Sequence, residues 1–165
     1  MAGSLDIQLN LGCGDHYQEG WVNYDISPSV KCDVRYDVRL GLPYEDHSVP
    51  RIYAGHFLEH LSLDDVAIVL AEVARVLAKD GEFMVVGPDY DRALSRGEPE
   101  AILEGIRGGA GRWEGDAHQW TATAELTRQA LEPFFSVTEM EIMDTQGWPV
   151  VSRIGWQCAF LCLSR

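Results

Sequence analysis

The chain has 165 residues, enough to bury one core without disulfide or metal staples, and it reads as a single domain over 1–165. Lys and Arg number 13 against 26 Asp and Glu, a formal net charge of -13 that repels phosphate backbones and anionic lipid surfaces. Nucleic acid and membrane partners are therefore disfavoured, whereas a neutral or cationic small molecule, or a basic protein segment, remains compatible.

Residues 1–6 lack the basic start and apolar core of a signal peptide, and no apolar run approaches membrane-span length, so the expected location is the cytoplasm. Cys13, Cys32, Cys158 and Cys162 show no Cys-x-x-Cys spacing and are expected to be reduced.

The first element is an alternating strand, Ile7, Leu9 and Leu11, broken at Gly12 and Gly14. A second strand over 21–26 follows almost at once and carries Asp25 near its tip. Glycines after a strand let a ligand approach the main chain, and a carboxylate on the neighbouring strand can accept hydrogen bonds from ribose hydroxyls. In a dinucleotide-binding turn a third glycine opens a helix that holds a pyrophosphate, and the acid follows about twenty residues on. Here position 17 is Tyr, and Asp25 comes too soon for such a helix. The pattern suits a nucleoside without phosphates.

Residues 32–36 read as a short third strand ending at Asp37, which either caps the turn before Gly41 and Pro43 or faces a ligand. A surface connection over 42–49 leads to a fourth strand over 51–54 and then to His56, Glu59 and His60. His-x-x-Glu-His is also the inverted zinc-peptidase signature, but that motif belongs on a sustained helix, and here it follows a strand and is cut off by Ser62. No metal is expected. Ser62 and Asp65 open the clearest helix, with Val66, Val69, Leu70, Val73 and Leu77 on its core face and Gly81 as its expected stop. Residues 82–86 read as a buried fifth strand, and the alternation argues a mostly parallel α/β sheet.

Ligands of such sheets lie beyond the carboxyl ends of the strands, so the loops after Leu11, Asp25, Ala54 and Val86 should converge. Asp89 and Tyr90 leave the fifth strand on that side and are candidates to meet a substrate. A helical stretch over 98–106 runs into a glycine-rich run over 105–115, making 91–118 either a lid or a connector. His118 and Trp120 precede a helix from Thr123 to Leu131 that Pro133 stops, and strands over 135–140 and 154–163 close the chain.

Four stretches, 9–14 (LNLGCG), 20–25 (GWVNYD), 37–46 (DVRLGLPYED) and 55–61 (GHFLEHL), resemble small class I S-adenosylmethionine-dependent methyltransferases of the type 11 branch with a reduced first helix. The resemblance covers the first ninety residues and loosens beyond them. It implies a Rossmann-like class I methyltransferase fold, with a mostly parallel central sheet and an antiparallel last strand. It implies S-adenosyl-L-methionine as cofactor and S-adenosyl-L-homocysteine as product. By resemblance, the backbone of Gly12, Cys13 and Gly14 meets the methionine portion, Asp25 the ribose, Asp37 and Val38 the adenine, and Gly55 and His56 the methionine again, with Leu11 and Ile26 also binding the cofactor. Asp89, Tyr90 and Trp120 would face the acceptor. His56 and His118 are the candidates for a general base. The implied activity is methyl transfer to O or N of a small or medium-sized acceptor, and the competing reading is an S-adenosylmethionine-binding protein without turnover. Oligomeric state is not legible.

Overall fold

Strand β1 (Gln8–Leu11) lies in the interior of the sheet, and three of its four residues are buried, as a strand covered on both faces requires. A computed structural model describes residues 7–100, 103, 117–149 and 156–165. Beside β1 stand β2 (Val22–Asp25) and β4 (Val49–Gly55), outside them β3 (Val34–Arg35) and β5 (Leu77–Pro88), and all these pairings are parallel. Strand β7 (Gln157–Ser164) runs antiparallel to β5 and pairs with β6 (Phe135–Met140), giving the order β3-β2-β1-β4-β5-β7-β6. The sheet is mostly parallel with antiparallel closing strands, as the sequence implied.

Side-chain alternation divides the core into two faces. Ile52, Ala54, Phe83, Val85, Cys158, Phe160 and Cys162 point to the face packed by α1 (Leu63–Val76) and α3 (Ala124–Leu131). Tyr53, Met84, Val86 and Ala159 point to the other, where Trp21, Trp148 and Ile142 pack. Helix α1 begins where expected: the Asp65 N–H donates to Ser62 Oγ at 3.1 Å, and Asp64 and Asp65 occupy its positive end. Val66, Val69, Leu70, Val73 and Val76 are all buried, each burial stabilising the fold by about 1.5 to 3 kcal/mol relative to exposure.

Gly81 does not end this helix. The helix ends at Val76, its last carbonyls accepting the His47 and Ser48 amides, and β5 begins at Leu77. Leu77 pairs with Val49, the register then shifts, and Glu82 pairs with Arg51. Gly81 sits in that irregularity, where a Cβ would stand 2.9 Å from the Ala78 carbonyl oxygen and 3.0 Å from that of Pro50. The glycine serves a bulged strand.

Parallel neighbours usually need a helical crossover, yet β1 and β2 are joined by a loop. Asn23, wholly buried, organises that loop. Its side chain accepts from the Asn10 amide (2.9 Å) and the Gln18 N–H (2.8 Å) and donates to the carbonyls of Gln18 and Trp21, both at 2.9 Å. Asp33 then accepts from the Asn23 N–H at 2.8 Å, linking loop and sheet.

Short helix α2 (Tyr90–Ser95) leaves β5. The glycine-rich run, and with it most of the predicted lid over 91–118, lies outside the described residues. Among the described residues no helix is long and apolar enough to cross a membrane.

Candidate functional site

At the carboxyl end of β1 the chain turns through Gly12 and Gly14, with φ of 63° and 50°. Their reasons differ. A Cβ on Gly12 would stand 2.2 Å from Phe57 Cδ2, so the glycine lets the Phe57 ring lie on the turn, whereas Gly14 faces open space that a ligand could use. Asp25, 7% exposed at the end of β2, ties this turn down. Oδ2 accepts from the Gly14 N–H at 2.8 Å and Oδ1 from the Ser27 N–H at 2.7 Å, and each oxygen keeps a second acceptor direction.

These residues form one wall of a cleft of about 460 Å³ at the β1/β4 boundary, where the strand order reverses direction. Gly12, Cys13, Gly14, Asp25, Ile26, Asp37, Val38, Gly55 and His56 all line it. Leu11 does not, because as the last residue of β1 it is wholly buried in the core. Phe57 and His60, inside the 55–61 stretch, also line the cleft, and so do His16 and Tyr36, which carried no sequence signal beyond their nearness to the motifs.

Asp37 does more than one thing. It caps the Val38–Leu40 turn, with the Arg39 N–H donating to Oδ1 at 3.0 Å, and it pairs with the Arg39 guanidinium at 2.8 Å while remaining on the cleft wall. The hydrogen bonds from Arg39 hold its carboxyl below the ordinary range.

His56 follows Gly55, over which the Tyr53 hydroxyl passes so closely that a Cβ would be 2.1 Å away. It adopts φ 51°, uncommon for a non-glycine residue and typical of functional turns. Its Nε2 hydrogen-bonds the Gln157 side chain, and its Nδ1 lies 3.2 Å from Glu59 Oε1 without hydrogen-bond geometry.

Glu59 is 2% exposed. Burial pushes its carboxyl up, but His56 beside it, with His60 and His118, outweighs burial and leaves it below its ordinary value. The Glu59 carbonyl accepts the Gln119 N–H at 2.8 Å, and the Trp120 indole N–H donates to the Leu58 carbonyl at 3.3 Å. The segment carrying His118 is thereby pinned against the segment carrying Glu59.

The residues expected to face the acceptor are occupied in the fold and do not line the cleft. Asp89 caps α2 and pairs with Arg92 at 3.2 Å. Tyr90 is 1% exposed with its hydroxyl 2.6 Å from His118 Nδ1, and Trp120 packs on the core. His118 stands edge-on to His60, ring centroids 4.9 Å apart, while His60 rather than His118 reaches the cleft wall. The turn into α2 points Tyr90 inward, and His118 follows it.

The fold is shared with solved structures. The PH0226 protein of Pyrococcus horikoshii OT3 superposes with a TM-score of 0.64 at 17% identity, over 95% of this chain and 81% of that one. An S-adenosylmethionine-dependent methyltransferase of Archaeoglobus fulgidus gives 0.63 at 15% identity, over 96% and 86%. A Thermotoga maritima methyltransferase described as a possible histamine N-methyltransferase gives 0.62 at 15%, over 96% and 82%. The fold is that of the class I S-adenosylmethionine-dependent methyltransferases. Residues 22–85, running from β2 into β5, match the family model of the type 11 methyltransferase domain. No curated protein matches the chain in sequence.

Proposed function

We propose that the protein transfers a methyl group from S-adenosylmethionine to an oxygen or nitrogen nucleophile of a small or medium-sized acceptor. The observation that carries this reading is the Asp25 carboxylate, held by the Gly14 and Ser27 amides on the wall of the cleft. A carboxylate fixed on its own backbone is oriented before any ligand arrives, so accepting hydrogen bonds from two ribose hydroxyls costs it little further freedom. Asp37 and Val38 are assigned to the adenine, the Gly12–Gly14 backbone and Gly55 to the methionine portion, and Ile26 to the ribose face. The open side of Gly14 fits such a ligand.

Bound there, the cofactor supplies a methyl group on a sulfonium that is already a good leaving group. The chain's own work is to align the nucleophile and exclude water, and orientation of this kind can supply about 7 to 11 kcal/mol. His56 and His118, the two expected bases, take supporting places in this reading. His56 is held by Gln157 and lies beside Glu59, and His118 stands behind His60 with its Nδ1 on Tyr90. The net charge of -13 favours a neutral or cationic acceptor, and the histamine description of the Thermotoga neighbour supports a small amine.

Calorimetric titration with S-adenosylmethionine and with S-adenosylhomocysteine tests the reading. Saturable one-site binding of both is expected, followed by label transfer from methyl-labelled cofactor to a member of a panel of small amines and phenols. A chain that binds neither compound does not have this function.

A further inference from the structure

We propose that Glu59, His60 and His118 form a binding site for one first-row divalent metal ion, Zn2+ foremost, beside the cofactor cleft. Each of the three offers a ligand atom, and these atoms lie within 4.8 Å of one another. Ligands about 2.1 Å from a tetrahedral ion stand about 3.4 Å apart, so small side-chain rotations would close the set. Two imidazoles and one carboxylate are a donor combination that suits zinc and its neighbours and leaves a coordination position open.

The charge balance points the same way. Glu59 is a carboxylate 2% exposed, and among the described residues no Lys or Arg pairs with it. Its Oε1, although 3.2 Å from His56 Nδ1, makes no hydrogen bond of good geometry. Buried carboxylates persist when paired with a cation or bound to a metal. The groups gathered round this one are imidazoles, which are good metal ligands and carry charge only when protonated.

The site is also built in advance. The hydrogen bond between the Tyr90 hydroxyl and His118 Nδ1, at 2.6 Å, fixes the ring plane, and with the hydroxyl accepting from Nδ1–H the other ring nitrogen is left to ligate; Tyr90 is itself buried. The backbone bond from Gln119 to Glu59 fixes the spacing between the two ligand-bearing segments. His60 reaches the cleft wall, so an ion held here would lie beside the cleft. This differs from the His-x-x-Glu-His zinc-peptidase pattern: His56 is engaged by Gln157, His118 takes its place, and Glu59 is a ligand rather than a base.

The test uses the full chain stripped of metal with a chelator and titrated with Zn2+ by calorimetry and with Co2+ by visible absorption. One equivalent is expected, with the ligand-field bands of a low-coordinate Co2+ site. His118→Asn should weaken Zn2+ at least about 100-fold and Tyr90→Phe about 10-fold, whereas His47→Ala, at a histidine outside the site, should leave it unchanged. Titration with S-adenosylhomocysteine reports the cleft independently, so a His118→Asn protein that binds it normally is folded. No stoichiometric uptake by the unmodified chain, or equal Zn2+ affinity in folded His118→Asn, overturns the metal site. Neither result bears on the cofactor reading, which stands or falls on the cofactor titration alone.

Discussion

The Gly14 amide donates a 2.8 Å hydrogen bond to the Asp25 carboxylate, so the glycine turn after β1 and the acid at the tip of β2 form one rigid unit. Asp25→Ala therefore does two things. It removes the acceptor proposed for the ribose, and it strands the Gly14 and Ser27 amides that the carboxylate now satisfies. Expected are an affinity for S-adenosylhomocysteine lowered at least about 100-fold and an unfolding free energy lowered by about 2 to 4 kcal/mol, read by calorimetry and urea denaturation. Unchanged stability would show that the tether contributes nothing.

The two glycines of the turn should respond differently to alanine. At Gly12 the new methyl meets the Phe57 ring, and at Gly14 it meets nothing. Both pay for a left-handed conformation, about 1 to 2 kcal/mol, but Gly12→Ala adds overpacking of about 1 to 3 kcal/mol. Gly14→Ala should be the milder substitution in denaturant and should still weaken cofactor binding, because its methyl projects into the cleft. A Gly14→Ala protein less stable than Gly12→Ala would contradict the assignment of Phe57.

Thiol labelling should separate the four cysteines. Burial pushes the Cys13 and Cys158 thiols up to about 12 and raises Cys162 as well, while Cys32 is the partly exposed one. A thiol with a pKa of about 12 is thiolate in only about 1 part in 10⁴ at pH 8. Iodoacetamide at that pH should modify Cys32 first, the others following only on unfolding, as peptide mass mapping would show. Early labelling of Cys13 would be inconsistent with its burial.

Acid should weaken the fold through a definite set of carboxylates. Asp33 is held below its ordinary 3.8 by the hydrogen bonds from Asn23, and Glu72 below its ordinary 4.5 by those from Arg75. A depressed pKa contributes stability that is fully present above the unfolded value and is lost as pH falls through the folded one. Stability should thus be level above about pH 5 and decline steadily below about pH 4.5. Asp33→Asn should flatten part of that decline, and an unaltered slope in urea titrations would remove Asp33 from the account.

Elements set by neighbours a few residues apart were legible in the chain itself. The β1 strand, the Ser62 cap and the helix start near Thr123 are legible because each depends on contacts within one turn or one pleat. The clustering of the motif residues around one cleft followed from strand ends and loops, and it needed only the rule for where open sheets bind. Gly81 was misread because a glycine after an apolar helical stripe looks like a helix stop, whereas its actual constraint is the Pro50 carbonyl brought there by the β4 pairing.

Only the tertiary structure decided which polar side chains face the cleft and which hold the fold. Asp89, Tyr90 and Trp120 leave the right ends of the right elements, yet Arg92, His118 and the Leu58 carbonyl claim them. The same holds for Asn23, whose neighbours in sequence do not announce a wholly buried amide replacing a crossover helix. Glu59 and His118 are far apart along the chain, and their meeting depends on β5, α2 and the Gln119 backbone bond all falling into register. Local periodicity carries which face of an element is apolar. The partner of a buried polar group is set by long-range packing, because the penalty for leaving that group unsatisfied is felt only once the chain has closed around it.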